Sequence, residues 1–408
     1  MRVAFSQEML IVGGGIGGLA AALACHRAGW RARIFERAGA FTEVGAGLQL
    51  GPNATRVLHA WGLSDALGSV ASFPQDITIR DAMRGRLLGR MRLGADVATR
   101  YGAPYATLHR ADLHALLLDA VQRSGEAVLH LAAEAGPVRL QPDLVALTRR
   151  IGGRAAECQG ECEGEALVVA DGLWSRLREE VVANDPPPRA TGHFAWRCLI
   201  DRQALPLALR KATAGVTVCL GARLHVVAYP VRRGELLNLV VLAEGRPGMS
   251  GDAAAEDWNA VASSDEVARL LQGADSGLQG LAEAAPSWRR WMLHDREPVA
   301  GPQALARGRI ALLGDAAHPM LPYLAQGAAM AIEDAAELQR TLSMDIEDVQ
   351  ASLARYARHR WQRVGQVQAR ARRQANIFHA TGPMRWGRDA ALKLLGHRLL
   401  DQPWLWAG

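Results

Sequence analysis

Residues 9–18, Met9-Leu10-Ile11-Val12-Gly13-Gly14-Gly15-Ile16-Gly17-Gly18, join a short apolar run to a cluster of glycines. An apolar run of this length that stops at glycine is typical of a buried strand. From Ile16 to Ala28 the apolar residues recur at helical spacing, and Gly29 ends the helix. Residues 31–35 then alternate like a second strand. This order predicts a β-α-β unit with a glycine-rich first turn.

Three glycines of this turn have the spacing G-x-G-x-x-G, which is typical of dinucleotide binding. Gly13 permits the tight turn, Gly15 lets the backbone approach a pyrophosphate, and Gly18 lets the helix pack closely on the strand. Glu36 follows the second strand, where an acid can hydrogen-bond an unphosphorylated ribose, as in FAD or NAD. The alternative is a glycine-rich turn without a ligand. The order of strand, helix, strand and acid argues against it.

A second motif follows about 300 residues later, at Ala311-Leu312-Leu313-Gly314-Asp315-Ala316-Ala317-His318-Pro319. Its apolar half predicts a buried strand, so that Asp315 stands at a strand end and can hold a ribityl hydroxyl. Residues 326–331 then open a helix with glycine and small residues, which leaves backbone N–H groups free to face a flavin ring. Taken alone, Asp315 is equally well explained as a turn cap. The two motifs together predict that one chain holds both ends of FAD.

Composition narrows the class of protein. The chain has 408 residues, of which 49% are apolar and 22% charged, as expected for a globular protein of two domains. The net charge of +6 fits an acidic cofactor or an anionic substrate, and no basic run is interleaved with aromatics as in a nucleic-acid-binding protein. Cys158 and Cys162 have no second pair or histidine cluster nearby, so we expect no metal site. The odd cysteine count without a signal peptide favours a cytoplasmic protein, and no apolar run predicts a membrane span.

The middle of the chain differs from both ends. Successive strands without helices between them are predicted at 194–200, 215–220, 224–230 and 236–243, which favours an antiparallel sheet. The sequence therefore predicts an α/β fold in which a Rossmann-like FAD-binding domain is interrupted by an antiparallel-sheet substrate domain and followed by C-terminal helices. The predicted boundaries are 1–75, 101–183 and 296–342 for the FAD-binding domain, 76–100 and 184–295 for the substrate domain, and 343–408 for the helical region, with a linker at 184–188.

Nearly the whole chain resembles the single-component FAD-dependent aromatic hydroxylases, the flavoprotein monooxygenases of the salicylate, 3-hydroxybenzoate and 6-hydroxynicotinate hydroxylase type. The resemblance rests on both motifs and on three further stretches. These stretches are Asp171-Gly172 with Ser175-Arg176, Pro322-Tyr323-Leu324-Ala325-Gln326-Gly327, and Glu333-Asp334-Ala335.

The resemblance implies roles for individual residues. Asp171 serves both FAD and NAD(P)H, Arg110 contacts FAD at the start of a helix, and Pro322 lies near the flavin ring. Val169 stands where the family usually has glycine for a close backbone approach. Motifs and resemblance together predict these FAD-binding residues: Gly13, Gly15, Ile16, Gly18, Glu36, Arg37, Gly47, Gln49, Arg110, Asp171, Asp315, Pro322, Gly327 and Ala328.

His225 and Tyr229 are the candidates for substrate chemistry. They lie four residues apart on a predicted strand, so both side chains point to the same face. The resemblance supports them, because relatives carry functional His and Tyr at matching positions. The alternative is that both are ordinary buried residues of a sheet. Gln49 is a further candidate for a polar contact where flavin and substrate meet, and His318 is assigned a structural role in the second motif.

The resemblance implies a reaction. FAD reduced by NADH or NADPH takes up O2 to form a C4a-hydroperoxide, whose distal oxygen is transferred to an electron-rich ring carbon. A base that removes a phenolic proton raises that electron density, so His225 is assigned as base or relay and Tyr229 as the residue that orients the substrate. The expected substrate is a small phenolic or hydroxypyridine carboxylate, and the chain is expected to be a monomer or homodimer.

Two alternatives remain open from the sequence. One is a flavin enzyme of the same fold with another reaction, a halogenase or a reductase. The other is a non-catalytic flavin-binding redox protein. The C-terminal segment 390–406 is basic and partly amphipathic, and we expect it to pack on the protein body or on a dimer partner.

Overall fold

The structure is a computed structural model of the chain, and it describes residues 7–41, 46–125, 127–151, 158–245, 260–344 and 348–408. Each predicted domain contains some residues that lie outside these ranges. The described residues form two large sheets, two small sheets and a group of helices that follows them in the chain.

The first large sheet contains the predicted β-α-β unit. Its strand Glu8–Val12 pairs in parallel with Arg31–Phe35 on one side and with Ala166–Val169 on the other. Ile310–Leu312 pairs in parallel with Ala166–Val169, so the strands of both sequence motifs end at the same edge of the sheet. The strand order is Ala306–Arg307, Ile310–Leu312, Ala166–Val169, Glu8–Val12, Arg31–Phe35 and Ala127–His130, with only the first pair antiparallel.

The helix Ile16–Arg27 explains why this sheet is stable. Every residue from Gly18 to Cys25 is buried, because small and apolar side chains surround the helix on all sides. It packs against Gly327–Met344 and Arg110–Ser124. The N-terminus of Ile16–Arg27 is thereby held at the sheet edge where the two motifs meet.

The second large sheet has eight strands, and the predicted antiparallel architecture is confirmed with one exception. The exception is the parallel pair of Val216–Leu220 with Asp76–Asp81, which sequence alternation did not predict. The strands in spatial order are Ala260–Ala262, Trp288–Asp295, Arg189–Asp201, Leu236–Glu244, Leu224–Val231, Val216–Leu220, Asp76–Asp81 and Leu87–Arg92.

Smaller elements complete the fold. One small sheet consists of Ala133–Leu140, Val145–Ile151 and Cys158–Gly164, and the other of Gly47–Leu50 and Ala106–His109. The remaining α-helices are Pro52–Ala60, Ser64–Val70, Gly94–Tyr101, Leu207–Ala212, Ser264–Leu270, Ser276–Glu283, Val349–Phe378, Gly382–Leu400 and Pro403–Trp406. Within the described ranges, none of the helices combines the length and the apolar character needed to cross a membrane.

The predicted linker at 184–188 is firmly held. Asp185 accepts hydrogen bonds from Arg178 Nε at 2.9 Å and from Arg296 Nη1 at 2.5 Å, and all three side chains are nearly inaccessible. Arg178 also donates to the carbonyl oxygens of Ala316 and Ala317 in the second motif. The segment therefore ties the border between the two large sheets to the Asp315 turn.

Candidate active site

The glycine turn has the geometry that a bound phosphate needs. Gly13 has a φ of +103°, and a Cβ there would lie 2.4 Å from the Ala170 carbonyl oxygen. A Cβ on Gly18 would lie 1.8 Å from the Gly13 carbonyl oxygen, so the helix approaches the turn too closely for any side chain. At Gly15 nothing lies within 4 Å of the Cβ position. Two glycines are therefore required by packing, whereas Gly15 borders open space at a helix N-terminus.

Glu36 also holds the turn from the second strand. Its Oε2 accepts a hydrogen bond from the Gly14 amide at 2.7 Å, and its Oε1 accepts one from the Ala38 amide at 2.8 Å. Each carboxylate oxygen has a further acceptor position for a ribose hydroxyl. On the other side of the turn, His114 Nε2 lies 2.7 Å from the Gly14 carbonyl oxygen.

Asp171 stands beside the glycine turn with an unsatisfied acceptor. The turn and the Asp171 backbone are in close contact, because a Cβ on Gly13 would lie 2.9 Å from the Asp171 amide nitrogen. Among the described residues its buried Oδ1 has no hydrogen-bond partner. Burial raises the pKa of this carboxyl to about 6, although Ser175 and Arg37 oppose the shift. A buried, partnerless acceptor costs stability unless a ligand hydroxyl satisfies it.

The second motif is anchored by a buried ion-pair cluster. Asp334 is fully buried and its Oδ2 accepts from the Gly314 amide at 3.1 Å and from His318 Nε2 at 2.6 Å. Its Oδ1 accepts from Arg360 Nε at 2.7 Å. Gly314 adopts a φ of +61°, which turns the chain so that Asp315 leaves the sheet edge.

Asp315 faces the cleft between the motifs. Its side chain is accessible, yet the surrounding protein raises the pKa of its carboxyl while Arg110 and His318 oppose the shift. The Cβ position of Gly327, at the start of the helix Gly327–Met344, lies 3.8 Å from Asp315 Oδ1. The Asp315 carboxylate, the Arg110 guanidinium and the N-terminus of the helix Gly327–Met344 therefore lie close together.

A cavity of about 400 Å³ opens from this point into the eight-stranded sheet. Of the predicted site residues, those that line it are Gly47, Gln49, Arg110, His225, Tyr229, Asp315, Pro322, Gly327 and Ala328. The other predicted residues, Gly13, Gly15, Ile16, Gly18, Glu36, Arg37 and Asp171, lie at or beside the glycine turn. The structure thus places the predicted set in two adjoining groups, one at the turn and one in the cavity.

Tyr229 lies on the floor of the cavity between the small sheet and the large one. It is 4% exposed, and a Cβ on Gly47 would lie 2.7 Å from its ring, so glycine is needed there. Burial raises the pKa of the Tyr229 phenol far above its usual range, with an opposing hydrogen bond from Gln49. Gln49 Oε1 accepts a hydrogen bond from the Tyr105 hydroxyl at 2.6 Å. The Tyr229 phenol is therefore a neutral hydrogen-bonding group.

His225 lies on the same strand and is 1% exposed. Burial lowers the pKa of its imidazole well below 6.5, and the nearby His379, His193 and Arg388 lower it further. Its Nδ1 lies 2.9 Å from His379 Nε2, which leaves Nε2 as the ring nitrogen for a molecule in the cavity. An uncharged imidazole with a fixed partner can accept a proton.

With this geometry in view, comparisons with known proteins identify the family. A family model described as "FAD binding domain" matches residues 6–371. The chain is also 35% identical over 383 residues to 3-hydroxybenzoate 6-hydroxylase of Polaromonas naphthalenivorans (strain CJ2), with 93% of this chain and 90% of that protein covered. The chain belongs to the FAD-binding flavoprotein monooxygenases. The predicted resemblance, enzyme class and FAD cofactor are confirmed, and the family uses NAD(P)H.

Other relatives agree with this assignment. The 6-hydroxynicotinate 3-monooxygenase of Bordetella bronchiseptica (strain ATCC BAA-588 / NCTC 13252 / RB50) is 34% identical over 367 residues, with 88% of this chain and 89% of that protein covered. The crystal structure of Klebsiella pneumoniae HpxO complexed with FAD and uric acid superposes with a TM-score of 0.82 at 25% identity, with 96% and 94% of the chains covered. A salicylate hydroxylase substrate complex, at 24% identity and a TM-score of 0.80, covers 99% of this chain and 96% of its own and shows the fold. This monooxygenase is an FAD-dependent aromatic hydroxylase.

The residues present in this monooxygenase fit FAD. Gly15 borders open space where a pyrophosphate would otherwise collide with a side chain, and Asp171 presents a buried acceptor without a partner. Val169, where the family usually has glycine, is fully buried in the sheet beside Val12 and Leu312. Its side chain therefore packs within the protein.

Sequence reasoning missed two residues of the monooxygenase site, one that lines the cavity and one that contacts His225. His379 follows the helix Val349–Phe378, and Trp406 belongs to the C-terminal helix. Trp406 lines the cavity and contacts Tyr101 and Tyr105 edge-on, so the C-terminal segment packs on the protein body, as predicted. Neither residue belongs to the FAD motifs, because Trp406 reaches the cavity and His379 reaches His225 only through tertiary packing. His318 is not among the lining residues and is buried against Asp334, which agrees with its assigned structural role.

Proposed function

We propose that this enzyme hydroxylates a small aromatic acid, either a phenolic carboxylate or a hydroxypyridine carboxylate. The overall change consumes substrate, NAD(P)H, a proton and O2 and yields the hydroxylated ring, NAD(P)+ and water. Bound FAD supplies hydride acceptance and oxygen activation. The residues of this chain supply binding, orientation, proton transfer and the exclusion of water.

The observation that carries the proposal is the shared cavity. Its lining includes His225 and Tyr229 together with Asp315 and Arg110. A neutral His225 accepts the hydroxyl proton of the substrate at Nε2, which increases electron density on the ring. Tyr229, held beside Gln49, hydrogen-bonds the substrate and sets which ring carbon faces the flavin.

The apolar lining of the cavity supports the same reaction. The aliphatic side chains of Val227, Val240 and Leu242 and the Trp291 and Phe378 rings line it. Such a lining binds the faces of an aromatic ring and excludes water. Water in the site would divert activated oxygen to H2O2 instead of product.

The charge of the substrate is proposed from two sources. Two relatives are named for hydroxylation of 3-hydroxybenzoate and 6-hydroxynicotinate, which are both ring acids. Two cations also lie at or near the cavity, whose lining includes the Asp315 carboxyl as well: Arg110 lines it, and Arg197 lies 4.8 Å over the Trp291 ring that lines it. A carboxylate is attracted by these cations.

A comparison of three ligands tests the substrate class. We expect 3-hydroxybenzoate to accelerate NADH oxidation and to yield a hydroxylated product, whereas 3-hydroxybenzamide and benzoate stimulate it far less. The amide lacks the charge and benzoate lacks the ionisable hydroxyl. Equal stimulation by all three ligands without hydroxylated product would refute the proposal. Product formation that depends on halide would indicate a halogenase, and flavin that NADH and NADPH both fail to reduce would indicate a non-catalytic protein.

A substitution of His225 tests the assigned base. We expect His225→Ala to retain its FAD and to lose hydroxylation by roughly 10²–10⁴-fold, with more H2O2 released per NADH consumed. His397→Ala is the matched control, because His397 is an exposed histidine of the helix Gly382–Leu400. Unchanged turnover in His225→Ala would show that His225 is an ordinary buried residue of the sheet and not the base.

A further inference from the structure

The base of the cavity is the inner end of a row of ionisable side chains. His225 Nδ1 lies 2.9 Å from His379 Nε2, and both rings are buried. On the far side of His379, its Nδ1 lies 3.9 Å from Glu244 Oε1. Glu244 is 37% exposed and forms an ion pair with Arg223, which is 72% exposed. The row therefore runs from the buried base in the cavity lining to an exposed ion pair at the surface.

Backbone hydrogen bonds fix the middle of the row. The His379 amide donates to the Ala375 carbonyl oxygen at 3.0 Å, and the His379 carbonyl oxygen accepts from the Arg223 amide at 3.1 Å. The Glu244 amide donates to the Arg223 carbonyl oxygen at 3.0 Å. One turn at Arg223 thus holds both His379 and Glu244, which are far apart in sequence.

The ring nitrogen of His379 that faces away from His225, Nδ1, has an environment that ordinary packing does not explain. Within the described part of the chain, His379 Nδ1 is buried without a hydrogen-bond partner. Leaving such a group unsatisfied is unfavourable. A change of the Glu244 side-chain rotamer would bring its carboxylate within hydrogen-bond distance of this nitrogen, from which Oε1 lies 3.9 Å away.

We propose that His379 and Glu244 carry the proton that His225 takes from the substrate out to solvent. This inference rests on the proposed function. The substrate O–H bond breaks as a new N–H bond forms at His225 Nε2, and the His225 Nδ1 proton passes to His379 Nε2. His379 then releases its Nδ1 proton to the Glu244 carboxylate, and water removes it from there. Each step moves one proton, and no electrons are transferred.

The charges around the row favour passage of the proton through His379 over its retention on that ring. Burial, His193 and Arg388 lower the pKa of His379 to about 3, so the ring holds a proton only transiently at neutral pH. Arg388 is itself neutralised by Asp389 at 2.8 Å. His193, whose pKa is also lowered by burial, stacks on His379 and is hydrogen-bonded through Nδ1 to the Tyr323 hydroxyl. A side branch through Tyr323 therefore returns to the cavity, and Glu244 is the branch that reaches solvent.

Two conservative substitutions separate a relay from a positioning role. His379→Gln keeps a side-chain amide that can hydrogen-bond His225 Nδ1, yet an amide cannot pass a proton onward. Glu244→Gln keeps size and hydrogen bonding but removes the proton acceptor. Glu283→Gln is the matched control, because Glu283 is an exposed glutamate at the end of the helix Ser276–Glu283. All four proteins are compared as FAD-loaded enzymes with 3-hydroxybenzoate and NADH at several pH values, in dilute buffer and with added imidazole.

We expect His379→Gln and Glu244→Gln to bind FAD normally and to form product roughly 10–100-fold more slowly, below the full effect of losing the base. Added imidazole should restore Glu244→Gln, because its site is open to solvent, and Glu283→Gln should match the wild type. Wild-type rates and pH profiles in both variants overturn the relay. A slow His379→Gln beside a normal Glu244→Gln also overturns it and makes His379 a positioning residue.

Failure of the proposed function is visible separately, as an absence of hydroxylated product from the wild type. The relay is then judged on the FAD-loaded enzyme by nitrogen-15 NMR of its histidines. A relay requires His225 and His379 both to carry the proton on Nδ1 and to exchange it with solvent faster than in Glu244→Gln. Any other tautomer pair, or exchange that Glu244→Gln leaves unchanged, overturns it.

Discussion

Replacing Asp334 with alanine tests how the second motif is held at the sheet edge. Asp334 is fully buried, and its two oxygens accept from Arg360, His318 and the Gly314 amide. Removing one partner of a buried ion pair typically costs about 3–5 kcal/mol, since the remaining charge loses its compensation. Arg360 keeps a second partner, because its Nη1 donates to Glu333 at 2.8 Å. We therefore expect Asp334→Ala to lower the free energy of unfolding by an amount near the lower end of that range.

The lowered pKa of Asp334 predicts how the free energy of unfolding changes with pH. His318 and Arg360 lower the pKa of the Asp334 carboxyl to about 2 against the opposing effect of burial. A carboxyl whose pKa is lowered in the folded state stabilises the protein above its unfolded pKa of about 3.9, and this contribution disappears as the pH falls through the folded pKa. With a folded pKa of about 2 against about 3.9 in the unfolded chain, the carboxylate contributes on the order of 2 kcal/mol at neutral pH, and about half of this is lost by pH 3.

Urea unfolding of the wild type and Asp334→Ala at pH 7 and pH 3 measures both effects. The difference in free energy of unfolding between the wild type and Asp334→Ala should be smaller at pH 3 than at pH 7. Asp334→Asn, which keeps an acceptor oxygen for the Gly314 amide, should fall between the two proteins. Asp119→Ala is the control, because Asp119 pairs with Arg123 on an exposed helix face, where such a pair contributes only a few tenths of a kcal/mol. An Asp334→Ala protein within about 1 kcal/mol of the wild type, with no change in the gap between pH 7 and pH 3, would refute this reasoning.

Four further substitutions test the site. Gly15→Val should fold normally, because nothing lies within 4 Å of its Cβ position, but it should purify without FAD. Gly18→Ala should fail to fold stably, because its Cβ would lie 1.8 Å from a carbonyl oxygen. A Gly15→Val protein with full FAD content would show that the pyrophosphate binds elsewhere. Asp315→Ala should weaken FAD binding by roughly 1.5–3 kcal/mol with little change in melting temperature, measured by flavin fluorescence titration, and a collapsed melting temperature with normal affinity would make Asp315 a structural cap. Trp406→Ala should lose about 3–5 kcal/mol of stability and release more H2O2 per NADH, because the ring is 4% exposed and closes one side of the cavity; unchanged coupling of NADH to product would show that this wall does not exclude water.

The cofactor half of the site could be predicted because its determinants are local. A strand, a glycine turn and a helix N-terminus follow one another within about 20 residues, and the G-x-G-x-x-G spacing reports this turn directly. Gly13 and Gly18 are needed for packing, and Gly15 borders the open space where a ligand fits. The Asp315 motif is equally local. The common sheet edge at which the two motifs meet follows from parallel strand pairing.

The substrate half depended on contacts between distant segments. Strand alternation alone placed His225 and Tyr229 on one face, which the cavity lining agrees with. The partner of His225 is His379, 154 residues away, at the end of a helix that carries no motif. Trp406 closes the cavity from the C-terminal segment in the same way. Backbone geometry and helix or strand period are written in consecutive residues, so the sequence by itself determined the fold class, FAD and the strand that bears the candidate base. The relay partner, the cavity wall and the parallel join of the second sheet arise only when segments without local signals pack together, so the tertiary structure alone decided them.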